Sequence, residues 1–306
     1  MIKIGYFADG PWSHKAIEYI SSSELFEVVF IVPRFETQDP ILAQWASSLG
    51  VPFLACENVN SSSFLKEISQ YRADIFVSMS FNQILKKEII SLPPMGFLNC
   101  HAGALPFYRG RNPLNWVLIN GEKSFGITAH FIDEGIDTGP IVHQEHFDIC
   151  HDDTYSTLLD LAVLKCPEVL LEGLKKIAHG NYKLISQRDI HPIGTYFSQR
   201  KQGDELVSFF WDVNRFYNFV RALSRPSPEA RFRVGVKEFS IISTELIPDA
   251  PSYISTEGEV VGRSSNGNVV KVADKTILIK LIREVNSTDV NSFIPKFPIG
   301  TRLEGR

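Results

Sequence analysis

The chain has 306 residues, of which 44% are hydrophobic and 22% charged, a composition typical of a globular protein large enough for two domains. Its net charge of −4 disfavours nucleic acid as the main partner, since phosphate binding requires a basic surface. No apolar run approaches the roughly 20 residues that span a bilayer, and no signal peptide is visible, so we expect a cytosolic protein without a membrane partner.

The first 150 residues alternate between short apolar runs and helical patterns. Strands are predicted at residues 2–7, 26–32, 51–54, 74–79 and 96–100, and helices at residues 13–21, at 40–49 and from Ser61 onward. This alternation is typical of βαβ units. It predicts an α/β fold with a mainly parallel, Rossmann-like sheet that is covered on both faces.

The pattern changes after a predicted helix at residues 113–120. Two longer strands are expected at residues 125–132 and 139–149, antiparallel to each other across a turn at 133–138. A long amphipathic helix is predicted at residues 154–178.

The C-terminal third has a different architecture. A helix is predicted at residues 213–223, and short strands at residues 232–242, 257–264, 268–273 and 275–284. Regularly spaced short strands predict a small, OB-like β-barrel. We therefore divide the chain into a catalytic domain (residues 1–180), a polar linker (181–207) and a C-terminal domain (208–306).

The strand predicted at residues 96–100 contains Asn99 and is followed by His101. It places both residues at the edge where open α/β sheets bind their ligands. Two positions apart on an extended backbone, they point to the same side. The imidazole can hold a proton from a nucleophile, and the amide can donate to an oxygen that gains charge. An isolated Asn-x-His would more often be a turn cap beside a packed histidine.

A second motif is a predicted turn with three carboxylates, Asp133-Glu134-Gly135-Ile136-Asp137-Thr138-Gly139-Pro140. An acidic turn of this kind normally lies in solvent and has no catalytic role. Here the residue types of two separate loops suit one acyl-transfer reaction, with Asp137 as the carboxylate.

The run from Asn99 to Gly110 resembles the active-site segment of the folate-dependent formyltransferases, and residues 130–141 resemble the family's second motif. The spacing from Asn99 to Asp137 suits the family's Asn–His–Asp triad. The resemblance covers residues 1 to about 180 and is looser beyond. One departure is Gly103, where family members usually carry serine, and we expect this position to support the loop.

This resemblance implies that His101 is the general base toward an acceptor amine or a proton carrier, and that Asn99 polarises the formyl oxygen. Asp137 would orient His101 or pass the proton to water, with its pKa raised by burial. The implied co-substrate is 10-formyltetrahydrofolate. Cys100 points to the opposite face of the strand and is not a candidate.

Family members hold the pterin ring between a loop after the fourth strand and the acidic turn. The corresponding loop spans residues 80–85, so the resemblance gives as cofactor-binding candidates Phe81, Asn82, Gln83, Ile84, Asp133 and Ile136. Without the neighbouring triad, this loop would be read as a plain connection. The first strand is not followed by G-x-G-x-x-G, which argues against a dinucleotide.

Tyr108, Arg109 and Arg111 lie in a basic, glycine-containing turn and are the substrate-binding candidates. The two arginines could bind a diphosphate or order the active-site loop. The alternative is that they only form salt bridges in a solvated turn. The stretch from Arg109 to Glu122 is similar to the formyltransferase domain that modifies UDP-amino-arabinose.

Three branches of the family differ in the amine that they formylate. The glycinamide-ribonucleotide branch lacks a C-terminal barrel. The initiator-tRNA branch carries a basic insertion after the second strand, whereas residues 33–40 here hold two acids and one base. We therefore expect a nucleotide-linked amino sugar, used for surface polysaccharide or glycan synthesis, with methionyl-tRNA as the alternative.

Two other classes of protein are alternatives. A family member that has lost its activity would bind nucleotide sugars without turning them over, but the complete triad argues against this. A metal hydrolase using His143, His146 and His151 is disfavoured because His143 and His146 would face opposite sides of a strand, so no metal is predicted. His130 lies in an apolar strand, which is typical of a core histidine. The barrel could cover the acceptor's nucleotide, form a homodimer surface or stabilise the catalytic domain.

Overall fold

The structure, a computed structural model, describes residues 1–286 and 291–306. It divides into two compact units. The first unit comprises Met1–Pro113, Ser124–Asp148 and Asp160–Phe197, and the second comprises Leu114–Lys123, Ile149–Leu159 and Ser198–Arg306. The predicted linker, residues 181–207, is shared between the two units, and its role as a domain boundary stays a prediction.

A six-stranded sheet forms the first unit within the described residues, in the order β2-β1-β3-β4-β6-β7. Its strands are β1 (Ile2–Ala8), β2 (Phe26–Pro33), β3 (Ile75–Met79), β4 (Phe97–His101), β6 (Ser124–Phe131) and β7 (Ile141–Asp148); the two-residue strands β5 (Arg109–Gly110) and β8 (Tyr196–Phe197) pair apart from it. Strands β2, β1, β3 and β4 are parallel, and β6 and β7 are antiparallel to their neighbours. This confirms the predicted α/β fold.

The strand predicted at residues 51–54 is reduced to one bridge between Phe53 and Ile31. Pro52 has no N–H to contribute to a ladder, which limits pairing at this short apolar run.

The helices are α1 (Pro11–Ser21), α2 (Pro40–Leu49), α3 (Ser62–Ser69), α4 (Lys87–Ile90), α5 (Pro113–Ile119), α6 (Tyr155–Ala178), α7 (Gln187–Ile190) and α8 (Val213–Ala222). Helix α1 begins two residues before the predicted Ser13 cap, because proline is favoured in the first helical turn. Ser13 is buried instead, and its hydroxyl donates to the carbonyl of Gly10. Helix α7 lies within the predicted linker.

Phenylalanine rings fill the core beneath the central strands. Phe7, Phe76 and Phe97 come from three adjacent strands, with ring centroids 5.2 Å (Phe7–Phe76) and 5.0 Å (Phe7–Phe97) apart. Phe30 of β2 extends the cluster at 5.9 Å from Phe7. Edge-to-face and tilted pairs of this kind stabilise a core beyond their buried area. The cluster therefore fixes the strands whose carboxyl ends carry the candidate site.

The second unit is built on an antiparallel sheet of five strands in the described residues, in the order β11-β12-β13-β10-β9. These are β9 (Arg231–Val234), β10 (Lys237–Leu246), β11 (Val260–Ser264), β12 (Gly267–Lys271) and β13 (Thr276–Glu284). Arg302 bridges Glu259 beside β11, and Glu304 bridges Arg233 in β9, so one C-terminal segment borders both edges. The predicted C-terminal helix and the strands after it are present as α8 and an antiparallel five-stranded sheet, where the sequence predicts an OB-like barrel. Across the described ranges, no helix is long and apolar enough to cross a membrane.

Candidate active site

Strand β4 carries Asn99 and His101 to the carboxyl edge of the parallel strands. Asn99 pairs with Ser78 of β3 on one side and with His130 of β6 on the other. His101 is the last residue of the strand, and only 8% of it is exposed. Both side chains therefore lie where open α/β sheets bind ligands.

The hydrogen bonds of His101 define which ring nitrogen is basic. Its Nε2 lies 2.7 Å from the carbonyl oxygen of Tyr108, which can only accept, so Nε2 carries the proton of the neutral ring. Nδ1 then holds the lone pair and faces Oδ2 of Asp137 at 3.7 Å. A proton taken up at Nδ1 would be stabilised by the carboxylate beside it.

Asp137 lies in the turn between β6 and β7, with a left-handed backbone φ of 53° and a side chain that is 16% exposed. Its Oδ2 accepts a hydrogen bond of 2.8 Å from the backbone N–H of Gly110. Burial by itself would raise the pKa of Asp137, but the positive charge of His101 and His130 in their protonated forms and the Gly110 hydrogen bond hold the pKa below its ordinary value. The predicted upward shift is wrong, because the burial is outweighed by these favourable neighbours.

His130 joins the site, although its sequence environment is typical of a core histidine. The fully buried ring donates from Nδ1 to the carbonyl of Phe131 at 2.8 Å and accepts at Nε2 from the amide nitrogen of Asn99 at 3.1 Å. Nε2 also lies 3.7 Å from Oδ1 of Asp137. Burial holds the pKa of His130 below its ordinary value, and it outweighs the opposing effect of the Asp137 carboxylate. A neutral ring fits these bonds.

The structure thus brings Asn99, His101 and Asp137 together, as the resemblance implies. An amide nitrogen has two N–H groups, so Asn99 can bond His130 and still donate to an incoming oxygen. A basic nitrogen, an amide donor and an ionised carboxylate suit the transfer of an acyl group to an amine. Their catalytic roles stay predictions.

The basic turn is held by residues 187–197. Tyr108 stacks on Phe197 with centroids 5.2 Å apart, and its N–H donates to Oγ1 of Thr195. The guanidinium of Arg109 donates to Oε1 of Gln187, so this arginine orders the loop. Arg111 is exposed and accessible to a ligand. Binding of an acceptor by this turn remains a prediction.

Gly103, where the sequence departs from the family pattern, leaves no room for a side chain in this structure. A Cβ at this position would lie 2.6 Å from Nε2 of His101 and 2.8 Å from the carbonyl oxygen of Tyr108. Both distances are too short for a real contact, so any side chain would break or displace the hydrogen bond that orients the imidazole.

Replacing Gly103 with serine is therefore expected to lower kcat by about 10²-fold, the typical cost of displacing a catalytic group by about 1 Å. Ala102→Ser changes the neighbouring loop residue and serves as the control, with near-wild-type turnover. Steady-state kinetics of both variants test this, and a Gly103→Ser enzyme with wild-type kcat would contradict it.

The loop after β3 holds four of the cofactor-binding candidates. The ring of Phe81 packs against Phe7 at 5.6 Å between centroids. The amide of Gln83 bonds the backbone of Cys56 and Val59, so its side chain stabilises a neighbouring segment. Oδ1 of Asn82 is buried without a hydrogen-bond partner in the described residues, and Ile84 is 76% exposed.

The acidic turn holds the other two candidates. The carboxylate of Asp133 accepts bonds from the N–H of Gly135 and the hydroxyl of Thr138, and so shapes the turn. Ile136 is exposed. Among residues 1–286 and 291–306, no three His, Cys, Asp or Glu side chains are grouped to hold a metal ion.

Two family models match this sequence. Residues 9–172, more than half of the chain, match the formyl transferase model. Residues 200–297 match the formyl transferase C-terminal domain model.

Several solved structures share the fold. WlaRD, a sugar 3N-formyl transferase crystallised in the presence of dTDP and 5-N-formyl-THF, is 22% identical, with a TM-score of 0.69 over 94% of this chain and 99% of its own. An N-formyltransferase from Helicobacter canadensis, in complex with folinic acid and dTDP-3-aminofucose, is 20% identical, with a TM-score of 0.68 over 92% and 99%. HypX from Aquifex aeolicus, in complex with tetrahydrofolic acid, is 17% identical, with a TM-score of 0.61 over 92% of this chain and 44% of its own.

Proposed function

The chain belongs to the formyl transferase family, and on that basis we propose that it transfers a formyl group from 10-formyltetrahydrofolate to the amino group of a nucleotide-linked amino sugar of the UDP or dTDP type. The observation that carries this proposal is the convergence of Asn99, His101 and Asp137 at the carboxyl edge of the sheet.

Each residue of this group has a distinct task. The acceptor amine must lose a proton as it attacks, and Nδ1 of His101 is the basic nitrogen that can hold it. The ionised carboxylate of Asp137, 3.7 Å away, stabilises the imidazolium that results. The amide of Asn99 donates to the oxygen that gains negative charge. No nucleophilic serine or cysteine is needed.

The donor loop fits a flat heterocycle with polar edges. Oδ1 of Asn82 is a buried acceptor that lacks a partner within the described ranges, so it can receive an N–H from a bound ring. The exposed side chains of Ile84 and Ile136 offer apolar surface for the same ligand. When bound, the folate would supply the formyl group: the bond between the formyl carbon and N10 would break as the bond to the amine forms, and the proton held at His101 would pass to the departing nitrogen, releasing tetrahydrofolate.

An amino sugar is favoured over methionyl-tRNA by the connection between β2 and α2. Its only arginine, Arg34, donates to the carbonyl of Ser80 and lies 3.5 Å from the carboxylate of Asp9. Its Asp39 caps α2. This connection therefore offers little positive charge to a polyanion. Two relatives with the same fold were crystallised with dTDP or a dTDP-linked amino sugar, which supports the same choice.

Acceptor competition tests this proposal. The protein is incubated with 10-formyltetrahydrofolate and either methionyl-tRNA or a panel of UDP- and dTDP-linked amino sugars, and formylated products are quantified by mass spectrometry. We expect formylation of at least one nucleotide sugar and none of the tRNA. Efficient formylation of the tRNA alone would overturn the choice of acceptor.

A further inference from the structure

Gln187 is the first residue of α7, in a segment that the sequence indicates is a linker, and yet it is only 2% exposed. A buried amide must find partners for both its donors and its acceptor. Its contacts therefore point to a specific task rather than to a connection between domains.

All the hydrogen-bonding capacity of the Gln187 side chain is used. Nε2 donates to the carbonyl oxygens of Asp137 at 2.8 Å and Gly139 at 2.7 Å. Oε1 accepts from Nε of Arg109 at 2.9 Å and from a terminal guanidinium nitrogen at 2.7 Å. Carbonyls only accept and a guanidinium only donates, so these partners fix the amide in one orientation.

These bonds tie two turns to each other. One turn carries Asp137, whose non-glycine backbone is left-handed and needs support from its surroundings. The other carries Tyr108 and Gly110, and it supplies the carbonyl that orients His101 and the N–H that binds the Asp137 carboxylate. We propose that Gln187 is a positioning residue that holds Asp137 against His101.

Two substitutions separate positioning from simple packing. Gln187→Met keeps a similar length but makes none of the four bonds. Gln187→Glu keeps the acceptor for Arg109 but loses both donors, and its carboxylate would face two carbonyl oxygens. It also adds a negative charge beside the Asp137 turn, so Gln187→Met is the variant that tests the hydrogen bonds without a change in charge.

We expect both variants to lose about 10²-fold in kcat, as for a displaced catalytic group, while the KM values change by less than about threefold. Arg188→Gln makes the same net change in charge as Gln187→Glu at an exposed position of the same helix and should leave kcat unchanged.

The kinetic part rests on the proposed function, so a second readout is independent of turnover. The ring signals of His101 are recorded by NMR in the wild-type protein and in the variants, and thermal unfolding verifies that each is folded. A change of the His101 ring signals in the charge-neutral variant Gln187→Met, without one in Arg188→Gln, supports positioning. Folded Gln187 variants with wild-type kcat and wild-type His101 signals would overturn the proposal. A wild-type protein that formylates no acceptor would count against the proposed function alone.

Discussion

Replacing His101 with alanine is expected to lower kcat/KM by about 10³-fold, within the range of 10²–10⁴-fold that general acid–base catalysis contributes. The ring provides the basic Nδ1, since Nε2 donates to the carbonyl of Tyr108. Without it, the amine proton has no acceptor beside Asp137. Steady-state kinetics with 10-formyltetrahydrofolate and the accepted amine measure this loss.

The matched control is His146→Ala, which makes the same substitution at an exposed residue of β7. It should retain wild-type kinetics. Circular dichroism and thermal unfolding of the His101→Ala protein verify that the loss is chemical rather than structural. Wild-type rates from a folded His101→Ala enzyme would refute the catalytic assignment.

Replacing Asp137 with asparagine is expected to lower kcat by about 10²–10³-fold, as the loss of charge stabilisation in a partly buried site typically does. The two side chains have nearly the same shape, but asparagine cannot stabilise a protonated His101 by charge. Glu134→Gln removes one carboxylate from an exposed position of the same turn and should leave kcat unchanged. Equal kcat for Asp137→Asn and the wild type would contradict the role.

The direction of the pKa shift also predicts how stability depends on pH. The pKa of Asp137 is lowered on folding, so its ionised form stabilises the folded state fully above the unfolded value of about 3.9. That stabilisation is lost as the pH falls through the lower pKa of the folded state. The stability advantage of the wild type over Asp137→Asn should therefore shrink as the pH falls below about 4. Denaturant unfolding at several pH values measures it.

Asn99, His101 and Asp137 could be proposed from the sequence because local patterns define their setting. The apolar run before Asn99 predicts a buried strand, and a Gly-rich acidic turn between two strands places Asp137 at a sheet edge. The resemblance to the formyltransferases implied that the two motifs meet, because the spacing from Asn99 to Asp137 suits the family's Asn–His–Asp triad.

Local sequence patterns did not identify His130 and Gln187 as residues of the site. His130 interacts with Asn99 because β4 and β6 pair in one register, and a shift of one residue would turn it to the other face of the sheet. Gln187 lies in a polar stretch with little periodicity, and its partners are some 50 and 78 residues away along the chain. The one available signal was the place of His130 at the start of the second family motif, residues 130–141.

The sequence by itself determined most of the strands and helices in chain order, the change to a β-rich C-terminal part and the family, since periodicity and motifs are local properties. The tertiary structure alone decided which nitrogen of His101 is basic, how closely residue 103 packs against that ring and that the pKa of Asp137 falls rather than rises. Each of these depends on distances of a few ångströms between segments far apart in the chain. Such distances are set by strand register and core packing, which no local pattern encodes.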